Sequence, residues 1–282
     1  FFFFTISLVF AKEKEDSFDL KKLDLAFEEN DRELSKSIAG NPGSPRGWAK
    51  MGDMRLYLGK FQDAKTDYEK MIQLDPELEV SHWRLGIAYF YLEEYDKAAR
   101  QFQIYHNFDA VDRENGIWRF MSQFKSKGLK TAREGLLKYE KDDRPPYPLL
   151  YEMFAGRLKP EEVFLRIEQA NYSESFKERV FFHACLYVGI YLELVEDKKV
   201  MAENLLKKAF ENKYGRSTGT YMWQVARLHY FQLMRKKKGI SIGEDSTCRF
   251  CSSSKGKSTG KLKNHFPKES SPIELPLFFL IS

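Results

Sequence analysis

The chain has 282 residues, 43% hydrophobic and 31% charged, enough for one sizeable folded domain or two small ones and too apolar to be disordered throughout. No apolar run reaches the length of about 18 residues that a membrane-spanning helix needs. Nine basic and four acidic residues lie from Lys236 onward, so 37 basic residues face 37 acidic ones before it and the formal charge of +5 sits wholly in the tail.

The chain opens F-F-F-F-T-I-S-L-V-F-A, without Met. This run resembles the apolar core of a truncated secretory signal, with small residues Val9 and Ala11 before a cut. It predicts export to a periplasm or the outside; the alternative is a buried first helix in a cytoplasmic protein. Ser17 is placed to cap a helix that runs to about Ile38, with Leu20, Leu23, Phe27, Leu34 and Ile38 on one face. Gly40 then stops it, and Asn41-Pro42-Gly43-Ser44-Pro45 is a turn.

From Trp48 the sequence begins to repeat with a period of 34 residues. Gly52 falls on Gly86, Phe61 on Tyr95, Ala64 on Ala98, Tyr68 on Phe102 and Asp75 on Asp109. Such a period, with small residues at fixed phases, marks stacked helical hairpins. Glycine costs a helix about 1 kcal/mol, which is tolerable where a partner helix must approach closely. Trp48, Met51-Gly52, Ala64, Tyr68, Met71 and Pro76 resemble the tetratricopeptide repeat (TPR), although Arg55 stands where its first helix usually has Tyr. The second copy, about Glu79 to Asn107, has Ala110 where proline is usual.

A third, degenerate hairpin is predicted from helices near Arg113–Lys125 and Leu129–Lys141. Pro145, Pro146 and Pro148 forbid a continuous helix through the next turn. Short helices follow near Leu149–Ala155 and Pro160–Ala170, then longer ones over Ser175–Val195 and Lys199–Asn212, and a closing helix over Tyr221–Arg235. The fold class expected is all-α: a TPR-type solenoid with a non-TPR helical break, a closing helical hairpin and a disordered basic tail. The segments are 1–11 (signal), 12–141 (TPR hairpins), 142–172 (break), 173–235 (divergent hairpin and closing helix) and 236–282 (tail). The tail is rich in Lys, Ser and Gly without periodicity, a composition that does not pack a core.

Little in the chain carries chemistry. Cys248-Arg-Phe-Cys251 has metal or redox spacing, but zinc takes four ligands and only His265 is near. Cys185 reads as a buried thiol. Gly256-Lys257-Ser258 lacks the earlier glycine and the strand of a phosphate-binding loop. His82, His106, His183, His229 and His265 form no i, i+4 pair. No catalytic residue, metal site or cofactor is therefore assigned, and the balanced charge before the tail lacks the basic face of a specific nucleic-acid binder. Asn171-Tyr-Ser173 fits a glycosylation acceptor, relevant to a secreted eukaryotic chain alone.

The TPR resemblance implies a non-catalytic adaptor whose first helices line a concave groove for a protein or peptide. The groove positions it supplies are Arg46, Asp53, Trp83, Ile87, Phe90, Asn115 and Trp118. A clamp for a terminal carboxylate uses Lys and Asn at these phases, and Ala49, Asp53, Trp83 and Ile87 stand there instead. The order of parts also resembles the NlpI-type periplasmic TPR adaptors of bacteria, though no Cys follows Ala11 to take their lipid anchor. Two further readings stay open. One is a structural TPR subunit whose own helices fill the groove; the other is an enzyme with a site in the break, 144–170. The stripe Trp83, Ile87, Phe90 decides between groove and core, because Leu85, Gly86, Tyr89 and Leu92 make the same helix apolar on a second face.

Overall fold

The computed structural model describes residues 19–239. The signal-like run, the Cys248/Cys251 pair and the tail from Ile240 lie outside them, as does Ser17; Lys236 and Lys237, assigned to the disordered tail, instead end the last helix. Helix α1 (Leu20–Gly40) is capped by Asp19, whose carboxylate accepts from the Lys22 N–H at 3.1 Å.

Two hairpins follow in the predicted period. Helix α2 (Pro45–Tyr57) starts on a Ser44 cap with Pro45 at its first position, and pairs with α3 (Phe61–Leu74). After a 3-10 turn (Pro76–Ser81), α4 (Trp83–Tyr91) pairs with α5 (Tyr95–Phe108). One device builds both. A Cβ on Gly52 would stand 2.4 Å from Tyr68 Cε1, and one on Gly86 would stand 2.7 Å from Phe102 Cζ. Each glycine leaves the space that the aromatic ring of the second helix fills, and Ala64 and Ala98 are fully buried beside them.

Helix α6 (Arg113–Glu134) begins on Asp112, whose carboxylate accepts from the Glu114 N–H, and it is broken at Gly128, which has φ 81°. This interruption lies between the two helices expected for the third hairpin. The second half of α6 ends at Glu134, short of the expected Lys141, and residues 135–146 run as turn and extended chain. In the break lie α7 (Tyr147–Phe154) and α8 (Pro160–Gln169), the latter opened by Pro160 and closed back by Glu162, which accepts from the Lys159 N–H at 2.8 Å.

Helix α9 (Glu174–Leu194) opens with charged residues, and its stretch from Phe182 to Leu192 is buried throughout. It pairs with α10 (Lys199–Glu211), with a Cβ on Gly189 only 2.9 Å from Leu206 Cγ. The short α11 (Lys213–Thr218), absent from the sequence reading, turns at Gly219 (φ 56°) into α12 (Tyr221–Lys237). The fold is an all-α, TPR-type helical-hairpin solenoid with a non-TPR break and closing helices. Among the described residues no helix is long and apolar enough to cross a membrane.

Candidate interaction groove

The seven groove positions separate by depth. Arg46 is exposed at the start of α2. Asp53 accepts from Tyr68 Oη at 2.8 Å and from Arg84 Nη1 at 2.9 Å. Burial raises its carboxyl above the usual range, against the pull of Arg84. Trp83 is half-buried, its ring edge-on to Tyr221 of α12 at 4.8 Å. Ile87, Phe90, Asn115 and Trp118 are buried. Phe90 meets Trp118 edge-on at 5.2 Å, and Asn115 Nδ2 donates to the Phe102 carbonyl at 2.8 Å.

The protein's own helices cover the inner four. From α9, Tyr187 Oη accepts from Trp118 Nε1 at 3.1 Å and itself donates to Glu114 Oε1. From α12, His229 Nδ1 is 3.1 Å from Tyr91 Oη, and its Nε2 is 2.7 Å from Glu193 Oε2 of α9. Arg227 of α12 is wholly buried and reaches back to the first helices, donating to Asp24 Oδ1 at 2.6 Å and to the Tyr57 carbonyl. Ile87, Phe90, Asn115 and Trp118 are thus buried, as in the self-filled alternative, with α9 and α12 lying over this part of the chain. The physical reason is the second apolar stripe of α4, which the closing helices bury in place of water.

The closure is incomplete. A cavity of about 330 Å³ remains where α4, α5 and α6 face α9, α11 and α12. Trp83, Phe102, Asn115 and Trp118 form one side of its lining, and Arg179, His183, Tyr214 and Tyr221 belong to the other. Three groove positions of the sequence reading, Trp83, Asn115 and Trp118, therefore meet in it.

A network of ion pairs borders this cavity. Arg144, from the loop before α7, donates to Glu114 Oε2 at 2.8 Å, to Asp143 Oδ1 at 3.0 Å and to Asp112 Oδ1 at 3.4 Å. Its guanidinium lies over the Tyr147 ring at 4.2 Å. Burial pushes the Glu114 carboxyl up to about 7, with Asp112 adding to the rise and Arg144 and Tyr187 opposing it. His183 shares a 2.9 Å hydrogen bond between Nδ1 and Tyr147 Oη. Burial holds its pKa down to about 3, and Arg144 and Arg179 push the same way, so the ring is neutral.

Arg144, Arg179, His183 and Glu114 escaped the sequence reading. Glu114 and Asn115 are neighbours in the sequence, but Arg179 and His183 come from a helix more than sixty positions later, and no repeat phase places them. A second groove of about 330 Å³, between α3 and α5, includes Glu69, Tyr89 and Arg100 in its lining. Its polar groups already pair, Tyr89 with Glu69 at 2.8 Å and Arg100 with Glu79 at 3.7 Å. Among the described residues no group of three or more His, Cys, Asp or Glu is placed to hold a metal ion.

No family model matches the chain. Over 107 residues it is 30% identical to Hsp70-Hsp90 organizing protein 3 of Arabidopsis thaliana, covering 36% of this chain and 19% of that protein. Over 96 residues it is 29% identical to a protein SGT1 homolog of Oryza sativa subsp. japonica, covering 32% of this chain and 26% of the relative. The Hsp70-Hsp90 organizing protein of Triticum aestivum is 29% identical over 94 residues, 33% of this chain and 16% of that protein. The chain thus spans roughly a sixth to a quarter of the length of these relatives. They are TPR-containing co-chaperone adaptors of the plant cytosol, and they overturn the export expected from Phe1 to Ala11. They point to the cytoplasm, the alternative that the sequence left open. Over about a third of its length the chain is similar to adaptor proteins that bind protein partners.

Proposed function

We propose that the protein is a non-catalytic adaptor that holds a protein or peptide partner at the mouth of its groove. The observation that carries this reading is the cavity where Trp83, Asn115 and Trp118 meet side chains of the closing helices. Half-buried aromatic residues in such a position supply contact area at low entropic cost and dominate many interfaces. The similarity to adaptors of the Hsp70–Hsp90 system and to SGT1 supports the class of function. Those relatives are adaptors and not enzymes, which favours the adaptor over the enzyme reading.

The order of hairpins, break and closing helices supports a layout similar to the NlpI-type adaptors, as layout alone. The basic segment from Lys236 is proposed as an auxiliary contact for acidic surfaces, by its charge. A second reading, a structural subunit with a self-filled groove, is favoured by the burial of Ile87, Phe90 and Trp118.

Capture of partners by the full chain and by Trp83→Ala separates the two. Trp83 is half-buried, so the variant folds, which its melting temperature checks. The adaptor reading expects a specific partner to lose at least about 2 kcal/mol of binding to the variant. Identical partners, bound equally tightly by both proteins, would favour the structural subunit.

A further inference from the structure

The charged residues lining the cavity, Asp112 and Glu114 against Arg144 and Arg179, are unequally engaged, and this specifies its ligand. The acids beside it are already engaged. Glu114 gives one oxygen to Tyr187 and the other to Arg144, and Asp112 Oδ1 accepts from the Glu114 N–H at 3.1 Å and from Arg144 at 3.4 Å. A cationic ligand would have to displace Arg144, which three carboxylates and the Tyr147 ring hold in place. His183 has its Nδ1 committed to Tyr147. Arg179 differs. It lines the cavity from α9, and among the described residues no carboxylate lies within 4.0 Å of it. Its recorded neighbour is the face of the Tyr214 ring, 6.0 Å from the guanidinium. A guanidinium whose neighbour is an aromatic face keeps its N–H fork available for a planar or tetrahedral oxyanion. Beside these charged groups the lining has five aromatic rings: Trp83, Phe102, Trp118, Tyr214 and Tyr221.

We infer that this cavity binds an acidic side chain of a partner protein, a carboxylate or a phosphate flanked by apolar residues, with Arg179 as the anion's counter-charge. The volume of about 330 Å³ suits one or two side chains, so the occupant is a short extended segment, and a whole helix is too large. The apolar flanks lie on Trp83 and Trp118, and the anion turns to Arg179. The same group does not depend on a chain terminus, since nothing in the lining distinguishes a terminal carboxylate from an internal one. This inference rests on the adaptor reading above and names the chemistry of the partner.

The test uses the full chain and blocked tripeptides that share a frame: acetyl-Phe-Glu-Phe-amide, its Gln and Lys counterparts, and the phosphoserine form. Binding is read from the fluorescence of the cavity tryptophans and by calorimetry. The Glu peptide should bind about tenfold more tightly than the Gln peptide, and the Lys peptide more weakly than either. The phosphoserine arm shows which oxyanion is preferred, and a preference for either one supports the site. Arg179→Ala should erase the advantage of Glu over Gln, and Arg179→Glu should reverse the order in favour of Lys. Arg179 is only partly buried and makes no ion pair among the described residues, so both variants should keep the melting temperature of the parent. Equal binding of the Glu, Gln and Lys peptides would overturn the inference, as would a Glu preference that survives Arg179→Ala. The adaptor reading is tested separately: partner capture that depends on Trp83 but not on Arg179 leaves it standing while this inference falls.

Discussion

The hairpins α2–α3 and α4–α5 and the closing helices α9 and α12 are built on different terms. In the hairpins, contacts are short in sequence and repeat. Gly52 receives Tyr68 sixteen residues on, and Gly86 receives Phe102 at the same interval. In the closing helices the deciding contacts are singular and distant. Arg227 finds Asp24, His229 finds Tyr91, and Trp118 finds Tyr187. The hairpins have buried polar contacts too, such as Arg55 of α2 donating to Asp67 of α3 at 2.7 Å, but these are local, whereas α12 reaches α1 and α2 through the buried Arg227 guanidinium and α4 through the buried His229 imidazole. The lesson is that a repeat sets its own local packing, while closure of the stack depends on a few polar contacts of high sequence separation. Burying such groups is tolerable only because each is paired.

The largest effect is expected where the two regions share a core. Trp118→Ala and Phe90→Ala should each cost about 3–5 kcal/mol in urea unfolding, because both rings are buried between hairpin and closing helices. Losses below about 1 kcal/mol would mean that α9 and α12 do not close over α4 and α6.

Asp24→Ala should cost about 3 kcal/mol, because it leaves the Arg227 guanidinium buried with only the Tyr57 carbonyl to meet it. The double variant Asp24→Leu with Arg227→Met should recover most of that loss. A double variant no better than the single one would show that the pair itself, and not the uncompensated charge, stabilises the closure. Gly86→Ala should cost about 1–3 kcal/mol by pressing a methyl group on the Phe102 ring, and Gly52→Ala should behave alike. Unequal effects at the two glycines would break the equivalence of the hairpins.

How far the sequence could be read follows from the same contrast. The 34-residue period, the turn at Asn41–Pro45, Pro160 and the apolar runs made the helices of the hairpins, the break and the closing segment legible. Helix α11 was not, because six residues with Gly and Arg carry no periodic stripe. The break at Gly128, at positive φ, falls between the two helices read for the third hairpin, and the part that differs is the end of the second, which stops at Glu134. Trp83, Asn115 and Trp118 could be placed on the first-helix face by phase alone. That α9 and α12 lie over this face could not, since a stripe of apolar residues states that something covers it and does not say what. The polar side of the cavity was invisible for a related reason. Arg144 and Arg179 are ordinary arginines in the sequence, and only the fold reveals that one is tied to three carboxylates and the other to none within the described residues.

The smallest expected effect concerns the buried histidine of that cavity. His183 has a pKa held near 3 in the fold, chiefly by burial, with Arg144 and Arg179 adding to it, against about 6.5 in an unfolded chain. Its folded pKa is the lower one, so its contribution to stability is complete above pH 6.5 and is lost as pH falls toward 3. His183→Gln keeps a hydrogen-bonding group beside Tyr147 and removes this titration. Other groups titrate in the same range, among them His82, held to about 3 by burial, and Glu114, raised to about 7. Both are present in parent and variant, so the difference between the two proteins isolates His183. At pH 7.5 the parent should be the more stable. By pH 5.5, one unit below the unfolded pKa, its advantage should shrink by about 1.4 kcal/mol. An advantage that stays constant between these pH values would mean that the folded protein protonates His183 as readily as the unfolded chain does. The ring would then be reached by water, and its bond to Tyr147 would not shield it from protonation as the structure implies.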